Sequence, residues 1–354
     1  MRTVVAVITL VACVHAAIWT LAGNQTAAPN FDGAQLASLS YAPYEKSAEQ
    51  NAVANIGQIR ADMKLLAPHT RAIRTYSATN GSELIPAAAD EYGLKVTVGA
   101  WLDKDLARNE REVRNAIDLA RRHKNVNGIV VGNETVFRGE ITVPELIKTI
   151  QRVKRSSPVP VTTGEIWSVW RDHPELVSAV DFIAVHILPY WEGVSEKASV
   201  DAAIGAYDTL RRLYPGKRIV IAEFGWPSGG YNFKNANPGR IEQAVVVRDF
   251  VARAEAFGID YNLVEAIDQP WKVAIEGGVG AYWGLFDANR QAKFNWSGPV
   301  ADPDHFKLAG LALLLALLFS LPMLALSAPT AWQAATLAVS ANVVGAWFAI
   351  VFAF

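Results

Sequence analysis

The chain has 354 residues, of which 51% are hydrophobic and 19% are charged, so it contains enough apolar material for one large core. Its formal net charge of -1 gives no electrostatic basis for binding nucleic acid or another polyanion, and no nucleic-acid partner is expected. The single cysteine, Cys13, lies in an apolar N-terminal stretch, so the rest of the chain must fold without disulfide or thiolate chemistry.

The N-terminal segment has the composition of a membrane helix. Residues 3–23 carry no formal charge and are mostly Ala, Val, Leu and Ile. The run is longer than the apolar core of about 7 to 15 residues in a signal peptide, and no convincing small-residue cleavage site follows it. We predict a signal-anchor transmembrane helix over residues 1–23, with a cleaved signal peptide as the alternative. With either an anchor or a cleaved signal peptide, we expect the domain that follows to be exported.

Residues 307–354 contain two further apolar runs, 308–326 and 331–354. Each is close to the roughly 20 residues needed to cross a bilayer, and the four residues between them suit a helical hairpin. We predict two transmembrane helices, as in the front part of a longer membrane protein; buried core helices are the alternative. Arg2 favours a cytoplasmic N-terminus. We therefore expect an inner (cell) membrane protein with its soluble domain on the periplasmic or extracytoplasmic side.

Residues 30–303 alternate short β-rich runs with longer helical patterns, which predicts an α/β fold with a parallel sheet. The predicted strands are 37–41, 72–76, 95–101, 128–133, 159–164, 182–186, 218–222 and 262–267. The predicted helices are 52–66, 82–92, 106–123, 143–155, 174–179, 200–214 and 241–257. Eight such repeats match a (β/α)₈ TIM barrel of about 250 residues. A doubly wound sheet is the alternative, but no glycine-rich phosphate fingerprint follows the first strand.

Two glutamates end hydrophobic runs: Glu134 closes residues 129–134, and Glu223 closes residues 219–223. A charge at the end of a buried strand is costly unless it is paired or used. In the barrel interpretation the two residues follow the fourth and seventh strands, and active sites of such barrels lie at the C-terminal rim of the strands. The pattern predicts a two-carboxylate active site.

Aromatic and polar residues follow the other predicted strands, so one end of the barrel is rich in both. Seven tryptophans are expected at or near this rim: Trp101, Trp167, Trp170, Trp191, Trp226, Trp271 and Trp283. Sugar rings present apolar C–H faces that lie on aromatic surfaces, and their hydroxyls need oriented hydrogen-bond partners. The composition of the rim favours carbohydrate as the substrate, with ordinary core packing as the alternative for each tryptophan.

Several short motifs carry a family resemblance. The segments IRTY at 73–76, KVTVGAWL at 95–102, VGNE at 131–134, EFGWPS at 223–228 and WGLFD at 283–287 together resemble glycoside hydrolase family 17. The segment EAIDQPWK at 265–272 is similar to the fungal and bacterial branches of that family. The matches occur in order and span nearly the whole soluble region.

The resemblance implies a (β/α)₈ enzyme that cleaves β-1,3-glucan with retention of anomeric configuration, without a cofactor or a metal. It implies that Glu134 is the general acid/base and Glu223 the nucleophile, and that Asn133 contacts the sugar 2-hydroxyl. We expect burial and the charge of Glu223 to keep Glu134 protonated. Arg74, assisted by Tyr76 or His186, is the expected hydrogen-bond donor to Glu223; a structural bridge is the alternative role for each.

Other rim residues are candidates for contact with the sugar, and each has a structural alternative. Glu165 could touch substrate or tune the two glutamates, or pair with an arginine. Asp268 and Lys272, with Glu265, have the composition of a rim ion-pair group. The remaining substrate-binding candidates are aromatic: Trp101, Trp167, Tyr190, Trp226 and Trp271.

Two departures from the plant members of the family leave the acceptor open. Phe224 replaces the small hydroxyl residue that follows the nucleophile, and residues 185–190 differ from the plant pattern. A glycosyl-enzyme intermediate can react with water or with a sugar hydroxyl. Because similar bacterial proteins with membrane segments resemble glucanosyltransferases, sometimes fused to a glycan synthase, we expect transfer rather than endohydrolysis.

Two non-enzymatic alternatives are a silent glucan-binding module of a membrane glucan synthase and part of a membrane scaffold or transporter. The intact glutamate pair disfavours the first, and the absence of charged residues within the apolar runs disfavours the second. The expected partners are therefore β-1,3-glucan, the lipid bilayer and a glycan synthase domain or subunit.

Overall fold

The computed structural model describes residues 2–26, 29–33, 35–44, 54–301, 303–325 and 329–351. The chain forms two compact units. One comprises Ala28–Ser297, and the other comprises Met1–Ala27 together with Gly298–Phe354.

The larger unit is built on a closed barrel of eight parallel strands that pair in chain order. The strands are β1 (Leu39–Ser40), β2 (Ala72–Arg74), β3 (Lys95–Ala100), β4 (Val126–Asn133), β5 (Val161–Ile166), β6 (Ile183–His186), β7 (Ile219–Phe224) and β8 (Asp260–Leu263). Pairing of Leu39 in β1 with Leu263 in β8 closes the barrel. The predicted (β/α)₈ barrel is confirmed, and the doubly wound alternative is wrong.

Helices follow the strands and cover the barrel. The α-helices of this unit are Ile56–Leu66, Ile85–Asp90, Leu106–Arg122, Val143–Ser156, Trp167–Asp172, Pro174–Ala179, Pro189–Glu192, Glu196–Leu213, Arg240–Phe257 and Val273–Glu276. Short 3₁₀ turns occur at Ser82–Leu84, Pro270–Lys272 and Gly278–Ala281. Polar side chains fix several helix starts: Asn55 accepts from Gly57 N, Asp105 accepts from Arg108 N, and Thr142 forms a capping box with Glu145.

The predicted eighth strand, 262–267, differs from the observed one, which ends at Leu263. Beyond Leu263 the backbone leaves the strand ladder, because Glu265 N donates to Trp283 O and Ala266 N donates to Ser40 O. The predicted helix 52–66 begins at Ile56 in the structure, and residues 52 and 53 lie outside the described residues.

The strands are buried on both faces, as their continuous Val and Ile runs predict. Ile129 and Val131 on β4, and Ile221 on β7, are fully buried. Phe224 stacks on Phe250 of the helix Arg240–Phe257, with ring centroids 3.7 Å apart. Since neighbouring strand residues point to opposite faces, this packing outside the barrel leaves Glu223 on the inner side.

The smaller unit contains the helices Arg2–Gly23, Pro303–Ser320 and Ala331–Val351, the 3₁₀ segment Leu321–Ala325, and an antiparallel pair of strands, Asn24–Thr26 with Pro299–Ala301. Two helices within its described residues, Arg2–Gly23 and His305–Ala325, are long and apolar enough to cross a membrane. A signal sequence or a buried core helix meets the same criterion. The segment 331–354 forms a helix over its described part, and its membrane span stays a prediction.

Candidate active site

Glu134 and Glu223 meet at the carboxyl end of the barrel strands. Glu134 directly follows β4, Glu223 lies near the end of β7, and His186 ends β6 between them. One carboxylate oxygen from each glutamate and one ring nitrogen of His186 all lie within 4.8 Å of one another. The structure therefore brings together two carboxyl groups that are 89 positions apart in sequence.

A tight backbone turn directs Glu134 into this site. Gly132 has φ +81° and Glu134 has φ +53°, so both adopt the left-handed conformation. A Cβ atom at Gly132 would lie only 2.5 Å from Thr135 Oγ1, which explains why glycine is required there. For Glu134, a non-glycine residue, the same conformation is unfavourable and needs support from its surroundings.

Arg74 on β2 links the residues of the site. Its Nη1 atom donates to Glu223 Oε1 and to Ala222 O, each at 2.8 Å, and its Nη2 atom donates to Asn133 Oδ1 at 2.7 Å. Only 3% of the Arg74 side chain is exposed. These charge-assisted hydrogen bonds fix the orientation of the Glu223 carboxylate.

His186 connects the arginine to Glu134, and its neighbours assign its tautomer. Arg74 Nη2, which can only donate, lies 3.2 Å from His186 Nε2, so Nε2 acts as the acceptor. The hydrogen then resides on Nδ1, which donates to Glu134 Oε1 at 2.8 Å. Glu134 Oε1 is thus the acceptor in this pair.

The groups around Glu134 favour its ionised form. Burial raises the pKa of the Glu134 carboxyl, but the hydrogen bond from His186 and the electrostatic attraction of His186, Arg74 and Arg138 lower it by more. The net pKa lies below its ordinary value of 4.5. The expectation that burial and Glu223 keep Glu134 protonated is therefore wrong, because it omitted the hydrogen bond from His186.

Three atoms of the kinds that bind metals converge in this cluster: one carboxylate oxygen each from Glu134 and Glu223, and one ring nitrogen of His186. The guanidinium of Arg74 donates to the oxygen of Glu223 at 2.8 Å, and its positive charge repels a cation at that position. The donor set therefore suits proton transfer and nucleophilic attack better than metal binding.

A family model described as the BtgE/BtgC glycoside hydrolase domain matches residues 38–284, which include every barrel strand. The chain belongs to this family. The match covers well over half of the chain and places the protein among the glycosidases, whose retaining members use two carboxyl groups of the kind seen here.

Similar proteins include a glucan 1,3-beta-glucosidase of Arthroderma benhamiae, which is 29% identical over 66% of this chain and 82% of its own length. A probable glucan endo-1,3-beta-glucosidase (btgC) of Aspergillus clavatus is 30% identical over 66% of this chain, which spans only 38% of that protein. The structure of a glycoside hydrolase family 17 beta-1,3-glucanosyltransferase from Rhizomucor miehei has a TM-score of 0.66 and 25% identity, covering 74% of this chain and 98% of its own. The resemblance to family 17 is confirmed.

In this glycoside hydrolase, three aromatic candidates are partly exposed and hold polar or charged partners. Arg74 lies over the ring of Tyr76 at 5.0 Å, and the hydroxyl of Tyr76 donates to Ser40 Oγ. Arg138 lies over Trp101 at 4.2 Å. The indole N–H of Trp167 donates to Glu192 at 2.8 Å. All three follow barrel strands, and each keeps surface that a sugar could contact.

The acidic group after β8 divides into two separate ion pairs. Lys272 donates to Glu265 at 2.8 Å, which agrees with the predicted ion-pair group at the rim. Asp268, the third member of that group, instead pairs with Lys293 at 2.6 Å. Asp268 also accepts from Gly284 N and is only 9% exposed, so its oxygens are used within the protein. Trp271 is partly exposed, and its indole N–H has no hydrogen-bond partner among the described residues.

Tyr190 and Trp226 are fully buried and present no face to a sugar in this structure. Their rings pack edge to face at 5.8 Å, and Tyr190 also packs against Trp283 at 5.9 Å. The hydroxyl of Tyr190 donates to Tyr231 O, and the indole of Trp226 donates to Asn237 O. For these residues, and for the buried Trp170, the core-packing alternative is correct.

The sequence analysis did not identify several residues that hydrogen-bond to the backbone of the site. Arg138 donates to Asn133 O and to Leu102 O, which ties the turn after β4 to the segment after β3. Asn262 on β8 donates to Ser40 Oγ and to Ala222 O, beneath Tyr76 and Glu223. The position of Arg138, four residues after Glu134, is a signal that could have identified it; Ser40 and Asn262 offered none.

Proposed function

We propose that this protein is a retaining enzyme acting on β-1,3-glucan, with Glu223 as nucleophile and Glu134 as general acid/base. The proximity of the two carboxylates carries the proposal, since oxygens of Glu134 and Glu223 lie within 4.8 Å. Retaining glycosidases place their carboxyl groups about 5 to 5.5 Å apart, whereas inverting enzymes need roughly 6.5 to 9.5 Å for an intervening water. The β-1,3-glucan substrate is supported by the activities named for the similar fungal proteins.

In the first step a Glu223 oxygen bonds to the anomeric carbon as the glycosidic C–O bond breaks, and Glu134 transfers its proton to the departing oxygen. In the second step an acceptor hydroxyl attacks the same carbon, displaces Glu223 and returns a proton to Glu134. Arg74 holds the oxygen of Glu223 at 2.8 Å in an ion pair that is only slightly exposed. Asn133, anchored by Arg74 at 2.7 Å, is placed to bind the sugar 2-hydroxyl.

Glu134 differs from a buried carboxylic acid that is already protonated in the resting enzyme. Glu134 accepts a hydrogen bond from His186, so it must acquire its proton before the first step. His186 Nδ1 lies 2.8 Å from Glu134 Oε1, and this hydrogen bond stabilises the ionised form of Glu134. His186 therefore sets the pH range in which Glu134 can act as an acid.

The acceptor in the second step is proposed to be a glucan hydroxyl, which gives transfer and lengthening of chains. A glucanosyltransferase of similar structure supports this choice, and the Aspergillus clavatus relative, named as a probable glucan endo-1,3-beta-glucosidase, supports endohydrolysis as the alternative. The test incubates the full-length protein in detergent with β-1,3-gluco-oligosaccharides and follows product masses. Products longer than the donor support transfer, shorter products alone support hydrolysis, and no products would overturn the proposed substrate.

Glu134→Ala should lower kcat/KM for an unmodified β-1,3-gluco-oligosaccharide by about 10² to 10⁴-fold, because the leaving group then departs without protonation. A donor with a 2,4-dinitrophenyl leaving group needs no acid and should form the intermediate at a rate close to that of the unaltered enzyme. Pre-steady-state release of dinitrophenol measures that step. An equal loss with both donors would contradict the acid/base assignment.

His186→Ala should move the basic limb of the kcat/KM profile to higher pH by about one unit. The hydrogen bond from His186 lowers the pKa of Glu134, so its removal raises that pKa and keeps the acid protonated to higher pH. His173→Ala is the matched control, because His173 pairs with Glu175 on the exposed surface. A basic limb that stays in place, or moves to lower pH, would show that His186 does not set the protonation of Glu134.

We also propose that the smaller unit anchors the protein in the inner (cell) membrane, with the barrel on the extracytoplasmic side. The apolar helices Arg2–Gly23 and His305–Ala325 support an anchor, and Arg2 supports a cytoplasmic N-terminus. Protease treatment of intact cells whose outer layers have been made permeable should digest the barrel; protection of the barrel would contradict this orientation. Association with a glycan synthase stays a prediction from the family resemblance.

A further inference from the structure

Glu165 is a buried carboxyl group that the proposed reaction does not use directly. It lies near the end of β5, beside the turn that carries Glu134, and its relative exposure is 0%. Its Oε1 atom accepts from Val136 N at 2.7 Å, and its Oε2 atom accepts from Phe137 N at 3.3 Å. Both carboxylate oxygens therefore bind the backbone that immediately follows Glu134.

This backbone segment needs external support. Glu134 has φ +53°, a conformation that is unfavourable for a non-glycine residue and persists only when its surroundings enforce it. Glu134 N donates to Gly164 O at 2.7 Å, so β5 already holds the start of the turn. Glu165, the next residue along β5, holds the far side of the same turn through Val136 and Phe137. The two contacts clamp the turn against one strand.

The cost of burying Glu165 shows that packing alone does not account for this residue. Among the described residues, no lysine or arginine forms an ion pair with Glu165, so the predicted Arg-paired role is wrong. Burial raises the pKa of the Glu165 carboxyl to about 7, even though the two amide donors act in the opposite direction. An apolar residue of similar size would avoid this desolvation, but it would leave the two N–H groups without acceptors.

We propose that Glu165 is a positioning residue that fixes the left-handed turn and thereby aims Glu134 at the glycosidic oxygen. The inference rests on the proposed role of Glu134 as the general acid. Leaving-group protonation in the first step, and acceptor deprotonation in the second, depend on the direction of the Glu134 side chain, whereas the Arg74–Glu223 pair that carries nucleophilic attack is held from β2 and β7. Loss of the clamp should therefore slow leaving-group protonation and spare nucleophilic attack.

The experiment compares two donors in the full-length enzyme: a β-1,3-gluco-oligosaccharide, and the corresponding donor with a 2,4-dinitrophenyl leaving group. In Glu165→Gln one accepting oxygen becomes an NH₂ group that faces a backbone N–H, so one half of the clamp is lost. We expect kcat/KM for the oligosaccharide to fall about 10 to 10²-fold, a part of the full acid contribution. We expect the rate of dinitrophenol release in the first turnover to change less than about 3-fold.

Glu145→Gln is the matched control, since Glu145 also accepts a backbone N–H, from Thr142 at 3.0 Å, but lies on the exposed surface. It should leave both rates unchanged. Glu165→Asp keeps the charge, but its side chain is one methylene shorter and cannot reach both amides. It should also lower the rate with the oligosaccharide more than the rate with the dinitrophenyl donor. This variant replaces Glu165→Gln if the glutamine variant does not fold. In either variant, hydrogen exchange of the peptide containing residues 132–138 should be faster than in the unaltered enzyme.

The inference is overturned if the folded variants lose activity equally on both donors, or if they lose none. An equal loss would mark Glu165 as a general structural residue, and no loss would show that the clamp is dispensable. Failure of the proposed function would look different, because the unaltered enzyme would then turn over neither donor. A faster exchange without a difference between donors would also contradict the positioning role.

Discussion

Glu223→Gln is expected to abolish the covalent glycosyl-enzyme and to lower kcat on the order of 10⁴-fold or more, as loss of the nucleophile does in other covalent enzymes. The amide keeps the shape of the side chain and can still accept from Arg74, so the fold should survive. Its nitrogen and neutral oxygen cannot form the glycosyl ester that the mechanism requires. Activity should be lost on every donor, including one with a good leaving group.

Loss on every donor separates this variant from Glu134→Ala, which should retain the first step with an activated donor. Glu91→Gln is a suitable control, because Glu91 forms an exposed ion pair with Arg60 away from the two glutamates. Mass spectrometry of enzyme quenched during turnover reports whether an adduct forms. An adduct in Glu223→Gln, or activity within tenfold of the unaltered enzyme, would contradict the nucleophile assignment.

Arg74→Met should have the largest effect on stability, lowering the free energy of unfolding by about 3 to 5 kcal/mol. Removal of the guanidinium leaves the carboxylate of Glu223 buried without its cation, with only 7% of that side chain exposed. The Oδ1 atom of Asn133 and the carbonyl of Ala222 lose donors as well. Thermal unfolding of the full-length protein in detergent, followed by tryptophan fluorescence, measures the change.

The double variant Arg74→Met/Glu223→Gln identifies the source of this destabilisation. If the unpaired carboxylate is responsible, its conversion to a neutral amide should restore roughly 1 to 3 kcal/mol relative to Arg74→Met alone. The two substitutions would then be strongly non-additive, as expected for side chains 2.8 Å apart. Additive losses would show that Arg74 stabilises the barrel mainly through its contacts with Asn133 and Ala222.

The barrel could be predicted from the sequence because local patterns determine most of it. The Val and Ile runs of β4 and β7 end at charged or polar residues, and the helices between strands begin at recognisable caps such as Asp105 and Thr142. The end of β8 could not be predicted in this way. Residues beyond Leu263 have strand composition, but their backbone donors bind Trp283 and Ser40, which are distant in sequence.

Within the site, the motifs identified the glutamates, but their partners depend on contacts across the barrel. The hydrogen bond between His186 and Glu134 reverses the expected pKa of the acid, and a linear pattern does not show it. Tyr190 and Trp226 have the residue types of sugar platforms, yet they pack into a buried aromatic cluster. An aromatic residue in a rim loop can either pack into the core or stack on a sugar, so composition alone could not separate the two roles.

The covalent intermediate proposed at Glu223 can be trapped and its attachment site identified. A β-1,3-linked donor carrying fluorine at C2 and a good leaving group forms the glycosyl-enzyme faster than it breaks down, because fluorine destabilises the oxocarbenium-like transition states and the leaving group compensates only in the first step. Intact-mass spectrometry should show one added glycosyl unit, and peptide mapping should place it on Glu223. No adduct, or an adduct on another residue such as Glu134, would contradict the assignment.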